Sequence, residues 1–202
     1  MADLIIARNV ADMRTVVAGW RAEGHRIGLV PTMGALHPGH LSLMRRARQD
    51  AERVIATIFV NPTQFAPHED LDSYPRQEAA DLDALRSEGV DMVFMPERAE
   101  MYPTGEATTV SVGGPADGLE TAFRPHFFQG VATVVAKLLA QAQADVAVFG
   151  EKDYQQLAVI RRMATDLWIP TRIIGAETVR DEHGLALSSR NAYLSAADLT
   201  IA

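Results

Sequence analysis

Along the chain the spacing of apolar residues switches back and forth between two rhythms. Val10, Met13, Val16, Val17 and Trp20 recur at helical spacing, and Gly24 suits a stop, so a helix is predicted to end there. RIGLV (26–30) is short and continuously apolar, as a buried strand is. HLSLMRRARQDAE (40–52) returns to the helical rhythm, and RVIATIFV (53–60), rich in β-branched residues, reads as a second strand. The exchange repeats with a polar-faced helix, RQEAADLDALRSEG (76–89), and a strand, VDMVFM (90–95). A helix over 127–143 then carries Val131, Val134, Val135, Leu138 and Leu139 on one face, ahead of the strand DVAVFG (145–150). Leu157, Ile160, Ala164 and Leu167 stripe the next helix, and TRIIG (171–175) is the last clear strand. TTVSV (108–112) reads as a short strand outside this alternation, followed by a GGPADG turn, and SAADLTIA (195–202) starts a further helix or a linker.

Strands and helices alternating at this spacing predict βαβ units, hence an α/β fold with a mainly parallel sheet and helices on both faces. A chain of 202 residues is long enough for one such domain with a real core, and neither an internal repeat nor a low-complexity linker divides it. The net charge of -7 argues against a broad nucleic-acid footprint, yet leaves room for a local basic pocket around one small anion. With no cysteine, disulfides and thiolate metal sites are excluded, and a reducing compartment is compatible. The first twenty residues lack a basic stretch leading into an apolar one, and no run of eighteen apolar residues occurs. The expectation is a cytoplasmic protein with no membrane or nucleic-acid partner.

In an open α/β sheet ligands bind beyond the carboxyl ends of the strands, so the residues after each strand are the place to look for chemistry. PTMGALHPGH, NPTQF, GEKDYQQ and RDEHGLALSSRN follow four of the predicted strands. Pro38 suits the first position of a helix, Gly39 lets a ligand approach the backbone, and the helix start offers free N–H groups to a phosphate. His37 and His40, three residues apart, share a face of that helix start and are suited to donate hydrogen bonds to phosphoryl oxygens; the bland alternative is one capping histidine and one packed one. A zinc site lacks a third ligand at a familiar spacing. Lys152 can neutralise a polyphosphate as a point charge and Asp153 can hold Mg²⁺, or the two can form an ordinary surface ion pair. Ser188, Ser189 and Arg190 offer a mobile clamp for pyrophosphate, and the amides of Asn61, Gln64 and Gln156 suit hydroxyls or a carboxylate on a small substrate.

PTMGALHPGH, FVNPTQF, FGEKDYQQL and LALSSRN, in this order, closely resemble the pantoate–β-alanine ligase (pantothenate synthetase) family, and GVATVVAKLL and VIRRMATDL extend the likeness over nearly all of residues 26–195. The family belongs to the nucleotidyltransferases with HIGH-like motifs. The resemblance implies a Rossmann-like, doubly wound domain over 1–186 that joins pantoate to ATP as pantoyl adenylate, releases pyrophosphate, and passes the acyl group to β-alanine with loss of AMP. It implies that His37, His40 and Lys152 contact the ATP phosphates, with Ser188, Ser189 and Arg190 as the clamp. Pro31, Thr32, Met33, Gly39, Gly150, Asp153, Val179 and Leu187 would line the ATP side. Gln64 and Gln156, with Asn61 beside them, would hold pantoate, and Met33, Val134 and Val135 would surround its gem-dimethyl group. TTVSVGGPADGLE resembles the family's subunit contact, which implies a homodimer.

Two departures stand out. Where the family usually reads RPGHF this chain has RPHFFQGV, with His126 one place early and Phe127 at the usual histidine position, so that histidine is not carried over. Family members also continue into a smaller C-terminal domain over the cleft; residues 187–202 are expected to be the clamp loop and the start of a linker to such a domain, absent from this chain. Two further classes stay open: a nucleotidyltransferase acting on another small acceptor, and a fold that binds its ligands but turns over weakly. A tRNA-charging role fits poorly with an acidic chain of this length.

Overall fold

The structure, a computed structural model, describes residues 3–65, 71 and 74–201; Ala202, the end of the SAADLTIA stretch, lies outside the described residues. Among the described residues six strands make one all-parallel sheet. Their order across it is β1 (Ile5–Ala7), β4 (Met92–Phe94), β3 (Arg53–Ile58), β2 (Ile27–Thr32), β5 (Val146–Gly150) and β6 (Arg172–Ala176). Parallel neighbours cannot be joined by a hairpin, so the chain crosses back through helices. These are α1 (Val10–Ala22), α2 (Pro38–Arg48), α3 (Glu78–Ser87), the single turns α4 (Arg98–Met101) and α5 (Glu120–Phe123), α6 (Phe127–Ala142), α7 (Tyr154–Asp166) and α8 (Ala196–Ile201).

The sheet is covered on both faces because its strands are apolar on both. Ile27 and Leu29 of β2, Ile55 of β3 and Ala147 of β5 pack with Met13 of α1, Leu138 of α6 and Leu157 of α7. Their sequence neighbours Val30, Val54, Ala56 and Val148 turn to the other face and pack with Met44 of α2 and with Leu82 and Leu85 of α3. A Cβ at Gly28 would come within 3.2 Å of Ala51 and 3.3 Å of Ala47, so small residues on both sides let α2 lie close against β2.

The alternation predicted from the sequence is present, with the single turns α4 and α5 added to it and four further differences. β1 was not predicted; it is three residues long and becomes a strand only by pairing with β4. Residues 108–112 form no strand. Side chains of α6 hold them instead: Thr133 Oγ1 accepts from the Val110 backbone N–H (2.9 Å), and Gln129 Nε2 donates to the side-chain Oγ of Ser111 (2.8 Å). Val110 and Val112 still turn inward onto the core, so a period of two reported one buried face without a ladder. Leu167 lies one residue past the end of α7 and is half-exposed rather than part of the buried stripe. α2 begins two residues earlier than the helical pattern, with Pro38 in its first turn and His37 as its cap.

From β2 the sheet grows through β3 and β4 on one side, and through β5 and β6 on the other. The order therefore reverses between β2 and β5, which pair at Gly28↔Val146 and Leu29↔Ala147. The crevice beyond the carboxyl ends of these two strands is where a doubly wound sheet receives a ligand.

Candidate functional site

A cavity of about 500 Å³ opens at that crevice. Four strand ends feed it: Pro31 within the end of β2 and Met33, His37, Gly39 and His40 after it; Gln64 after β3; Gly150 as the last residue of β5 and Lys152, Asp153 and Gln156 after it; and Val179, Leu187, Ser188, Ser189 and Arg190 after β6. Residues more than a hundred positions apart in sequence thus share one space.

His37 caps its helix, as the bland reading has it, and both rings of the pair also line the cavity. His37 Nδ1 accepts from the Gly39 N–H (3.1 Å), which caps α2, and His40 Nδ1 accepts from the His37 N–H (3.4 Å). With Nδ1 used as an acceptor in each ring, the neutral tautomer carries its proton on Nε2, and both imidazoles remain donors in rings that line the cavity. The ring centroids are 4.1 Å apart. Burial, then His37 and the ammonium of Lys152, push the His40 pKa down to about 3; burial and Lys152 lower that of His37 as well. Two neutral donors therefore stand beside one fixed positive charge at the start of a helix. Gly39 lines the cavity and has a second reason to be bare: a Cβ there would come within 2.8 Å of the His37 ring, so its bareness also seats the cap.

The loop from β2 into α2 is held by a residue that sequence reasoning missed. Asp81 of α3 is buried, and its carboxylate accepts from the Ala35 N–H (3.0 Å) and the Leu36 N–H (2.8 Å). Gly34 (φ 82°) and Ala35 (φ 51°) are both left-handed, a conformation that costs a non-glycine residue about 1 kcal/mol and persists only when its surroundings enforce it. Asp81→Ala would leave two buried N–H groups without acceptors. It is expected to lower stability by about 2 kcal/mol in denaturant titration, and an unchanged midpoint would show that the loop holds itself. The clamp loop is tied to the same place, since Ser189 Oγ donates to the Ala35 carbonyl (3.0 Å) and the Leu187 N–H donates to the Val179 carbonyl (2.9 Å). Lys152 also reaches Asp153 Oδ1 at 3.2 Å, so the ion pair considered from sequence exists alongside its position on the cavity.

Thr32, Asn61, Val134 and Val135 do not line the cavity. Thr32 is buried, donating from Oγ1 to the Thr57 carbonyl (2.6 Å), and Val134 and Val135 lie within the apolar core along α6. Asn61, also buried, is a brace. Its Nδ2 donates to Gln64 Oε1 (2.8 Å) and to the Gly130 carbonyl (3.2 Å), while its Oδ1 accepts from Tyr102 Oη (2.7 Å) and Thr63 Oγ1 (2.9 Å). This fixes which way both amides face: with Oε1 of Gln64 occupied, Nε2 is the donor left for a ligand. Burial raises the pKa of the Tyr102 phenol, with the carboxylate of Glu106 adding to it, so the hydroxyl stays a donor. His126 lines a second cavity of about 310 Å³ with Tyr102 and Glu106, on a different part of the surface.

Sequence reasoning also missed a wall of the main cavity, made of Glu120, Arg124, Phe127 and Phe128, with Phe65 and Tyr74. The departure in RPHFFQGV marked this stretch, but it was read only for its histidine.

Comparison with known proteins covers nearly the whole chain. The profile of the Pantoate-beta-alanine ligase family matches residues 5–202. A pantothenate synthetase from Caulobacter vibrioides is 66% identical over 196 residues, covering 97% of this chain and 69% of that protein. One from Mesorhizobium japonicum is 61% identical over 197 residues, covering 98% and 70%. A pantothenate synthetase structure from Thermus thermophilus superposes with a TM-score of 0.92 at 50% identity, over 98% of this chain and 71% of that one. A Francisella tularensis pantoate-beta-alanine ligase, complexed with beta-gamma ATP and beta-alanine, superposes at 0.93 with 41% identity, over 98% and 76%.

Proposed function

Because this chain belongs to the pantoate-β-alanine ligase family and is thus a ligase by kinship, we propose that its main cavity condenses pantoate with β-alanine at the expense of ATP. A carboxylate oxygen of pantoate attacks the α-phosphorus, the bond from that phosphorus to the bridging oxygen breaks, and pyrophosphate leaves. The amine of β-alanine then attacks the acyl carbon of the adenylate, AMP departs with its oxygen, and the nitrogen sheds a proton to give the amide. Both steps proceed without a covalent enzyme intermediate, so the acceleration comes from positioning and from charge. The Nε2–H groups of His37 and His40 and the ammonium of Lys152 bind the phosphoryl oxygens as negative charge shifts onto them. Ser188, Ser189 and Arg190 close on the pyrophosphate, and Pro31, Gly39, Gly150, Val179 and Leu187 shape the nucleotide side. Gln64 and Gln156 hold pantoate, with Met33 against its apolar part. Asn61 acts through Gln64, and Val134 and Val135 act only by packing.

The convergence of His37, His40, Lys152 and Gln64 at the switch point of the sheet carries this reading. Mg²⁺ fits as an ion arriving with ATP: it keeps several waters and needs only one or two carboxylates beside phosphate oxygens, and Asp153 is a cavity carboxylate next to Lys152. The nucleotide-binding domain occupies 1–186 in this proposal, and residues 187–202 are the clamp loop and the start of a linker. The reaction is assigned to the cytoplasm, where ATP is abundant, and no helix among the described residues is long and apolar enough to cross a membrane. Self-association through the 108–120 segment belongs to the same proposal; Leu119 is well exposed there, as is Phe123 just after it, and light scattering that gives the mass of one chain would remove it.

Mass spectrometry tests the reaction directly. Pantothenate and AMP should form only when pantoate, β-alanine, ATP and Mg²⁺ are all supplied. Pyrophosphate release with no amine-dependent second step would instead favour nucleotide transfer to another acceptor. Tyr102→Phe should leave the fold intact while raising KM for pantoate about threefold to tenfold, since Asn61 loses a donor that keeps its amide facing Gln64. An unchanged KM would remove Tyr102 from that brace.

A further inference from the structure

The wall formed by α5 and the first turn of α6 carries a cation that the phosphate chemistry does not use. Arg124 lines the cavity beside Gln64, donating from Nη2 to the Gln64 carbonyl (2.9 Å) and from Nη1 to Glu120 Oε1 (2.9 Å). Its guanidinium carbon lies 4.0 Å from the centroid of the Phe127 ring. Two hydrogen bonds and a stacked ring hold the planar group in one orientation, which is how an arginine is prepared to grip a carboxylate. Of the cavity's other described basic side chains, Lys152 stands beside the two histidines and Arg190 comes from the loop after β6 to lie over the Tyr74 ring.

We infer that Arg124 binds the carboxylate of the incoming amine substrate, so that the α5–α6 wall is the acceptor subsite and selects an amino acid over a plain amine. This rests on the ligase reading above. The need is electrostatic. The acceptor brings a carboxylate into a cavity that already holds the phosphate of an adenylate, and a guanidinium on the acceptor's side offsets the repulsion between them. Glu120 holds the guanidinium in place, and Phe127, at the position where the family usually has histidine, supplies the surface it rests on.

The test compares β-alanine with n-propylamine, which has the same chain length and no carboxylate, as acceptors in the presence of pantoate, ATP and Mg²⁺. The unaltered chain should prefer β-alanine by about 100-fold or more in kcat/KM. In Arg124→Ala that preference should fall by about 30-fold, through KM for β-alanine; Arg124→Lys, which keeps a point charge but loses the fork, should fall between the two. Any disturbance of Gln64 or of adenylation slows both amines alike and cancels in the ratio, so a purely structural role would leave the preference where it was. A preference unchanged within about twofold in either variant overturns the assignment, and Arg124→Lys decides it if the alanine variant does not fold. Equal use of both amines by the unaltered chain overturns it without a variant. If the unaltered chain forms no amide with any amine, the ligase reading itself fails, which is a different result.

Discussion

His40→Ala is expected to slow adenylate formation by about 100- to 1000-fold, measured as pantoate-dependent exchange of pyrophosphate into ATP, with the fold intact. The expectation follows from where the ring stands. Its Nε2–H is the remaining donor in a cavity-lining ring, and its only share in capping α2 is the long bond its Nδ1 accepts from the His37 N–H (3.4 Å), while His37 Nδ1 still caps the Gly39 N–H (3.1 Å). A variant that keeps full exchange, or one that unfolds, would return His40 to a packing role. The same substitution has a signature in stability against pH. The imidazole titrates at about 3 in the folded chain against about 6.5 in the unfolded one. Between those values the unfolded chain holds a proton that the folded chain lacks, so stability falls as pH drops through the window and is untouched above it. Removing the ring removes that contribution, and the acid limb of the His40→Ala profile should be flatter than that of the unaltered chain. Parallel acid limbs would mean that the ring is not held neutral.

Gly130→Ala is expected to be the most damaging change away from the phosphate end. A Cβ there would lie 2.4 Å from the Thr63 carbonyl oxygen and 2.7 Å from its carbon, and both are backbone atoms that no side-chain rotation can move. The first turn of α6 and the 3₁₀ turn Pro62–Gln64 would have to separate, breaking the bond from Asn61 Nδ2 to the Gly130 carbonyl. The expected loss is about 3 kcal/mol in denaturant unfolding, toward the upper end for an overpacked site. KM for pantoate should rise about tenfold as Gln64 shifts. Native stability together with native KM would show that the two turns part freely.

The parts of this molecule that were legible in the sequence are those with local causes. The period change from β2 into α2, Pro38 in the first helical turn and Gly24 at a left-handed stop (φ 83°) all act within a few residues of themselves. His37, His40, Lys152 and the 187–190 loop were legible for a second reason. A parallel sheet sends the ends of its strands to one edge, so the residues after them are forced together. What stayed hidden depends on distant partners. Ile5–Ala7 is a strand because β4 lies beside it, and Val110 turns inward because Thr133 waits on α6. Asp81 looked like one polar residue on a helix face, and only the packing of α3 under the 34–36 loop makes its carboxylate a buried clasp. Asn61 and the two valines show the opposite case: their types suited a ligand, while the structure places Asn61 against Gln64 and the valines in the core.

The pairing of β2 with β5 also has a consequence in time. A chain made from its amino terminus can assemble β1 to β4 and the helix that bears both histidines while β5 is still unsynthesised, because those strands neighbour one another on one side of the sheet. The histidine pair gains Lys152 only when residues 145–152 emerge and dock. Asp145 then clasps the start of β2 twice, through its backbone N–H to the Ile27 carbonyl (2.9 Å) and its Oδ2 to the Ile27 N–H (2.7 Å). Half-made chains therefore expose an unpaired apolar strand edge at β2, the kind of edge that seeds aggregation during synthesis. That edge is also the seam of the site, so the pairing that completes the ligand pocket is the one that hides the sticky edge.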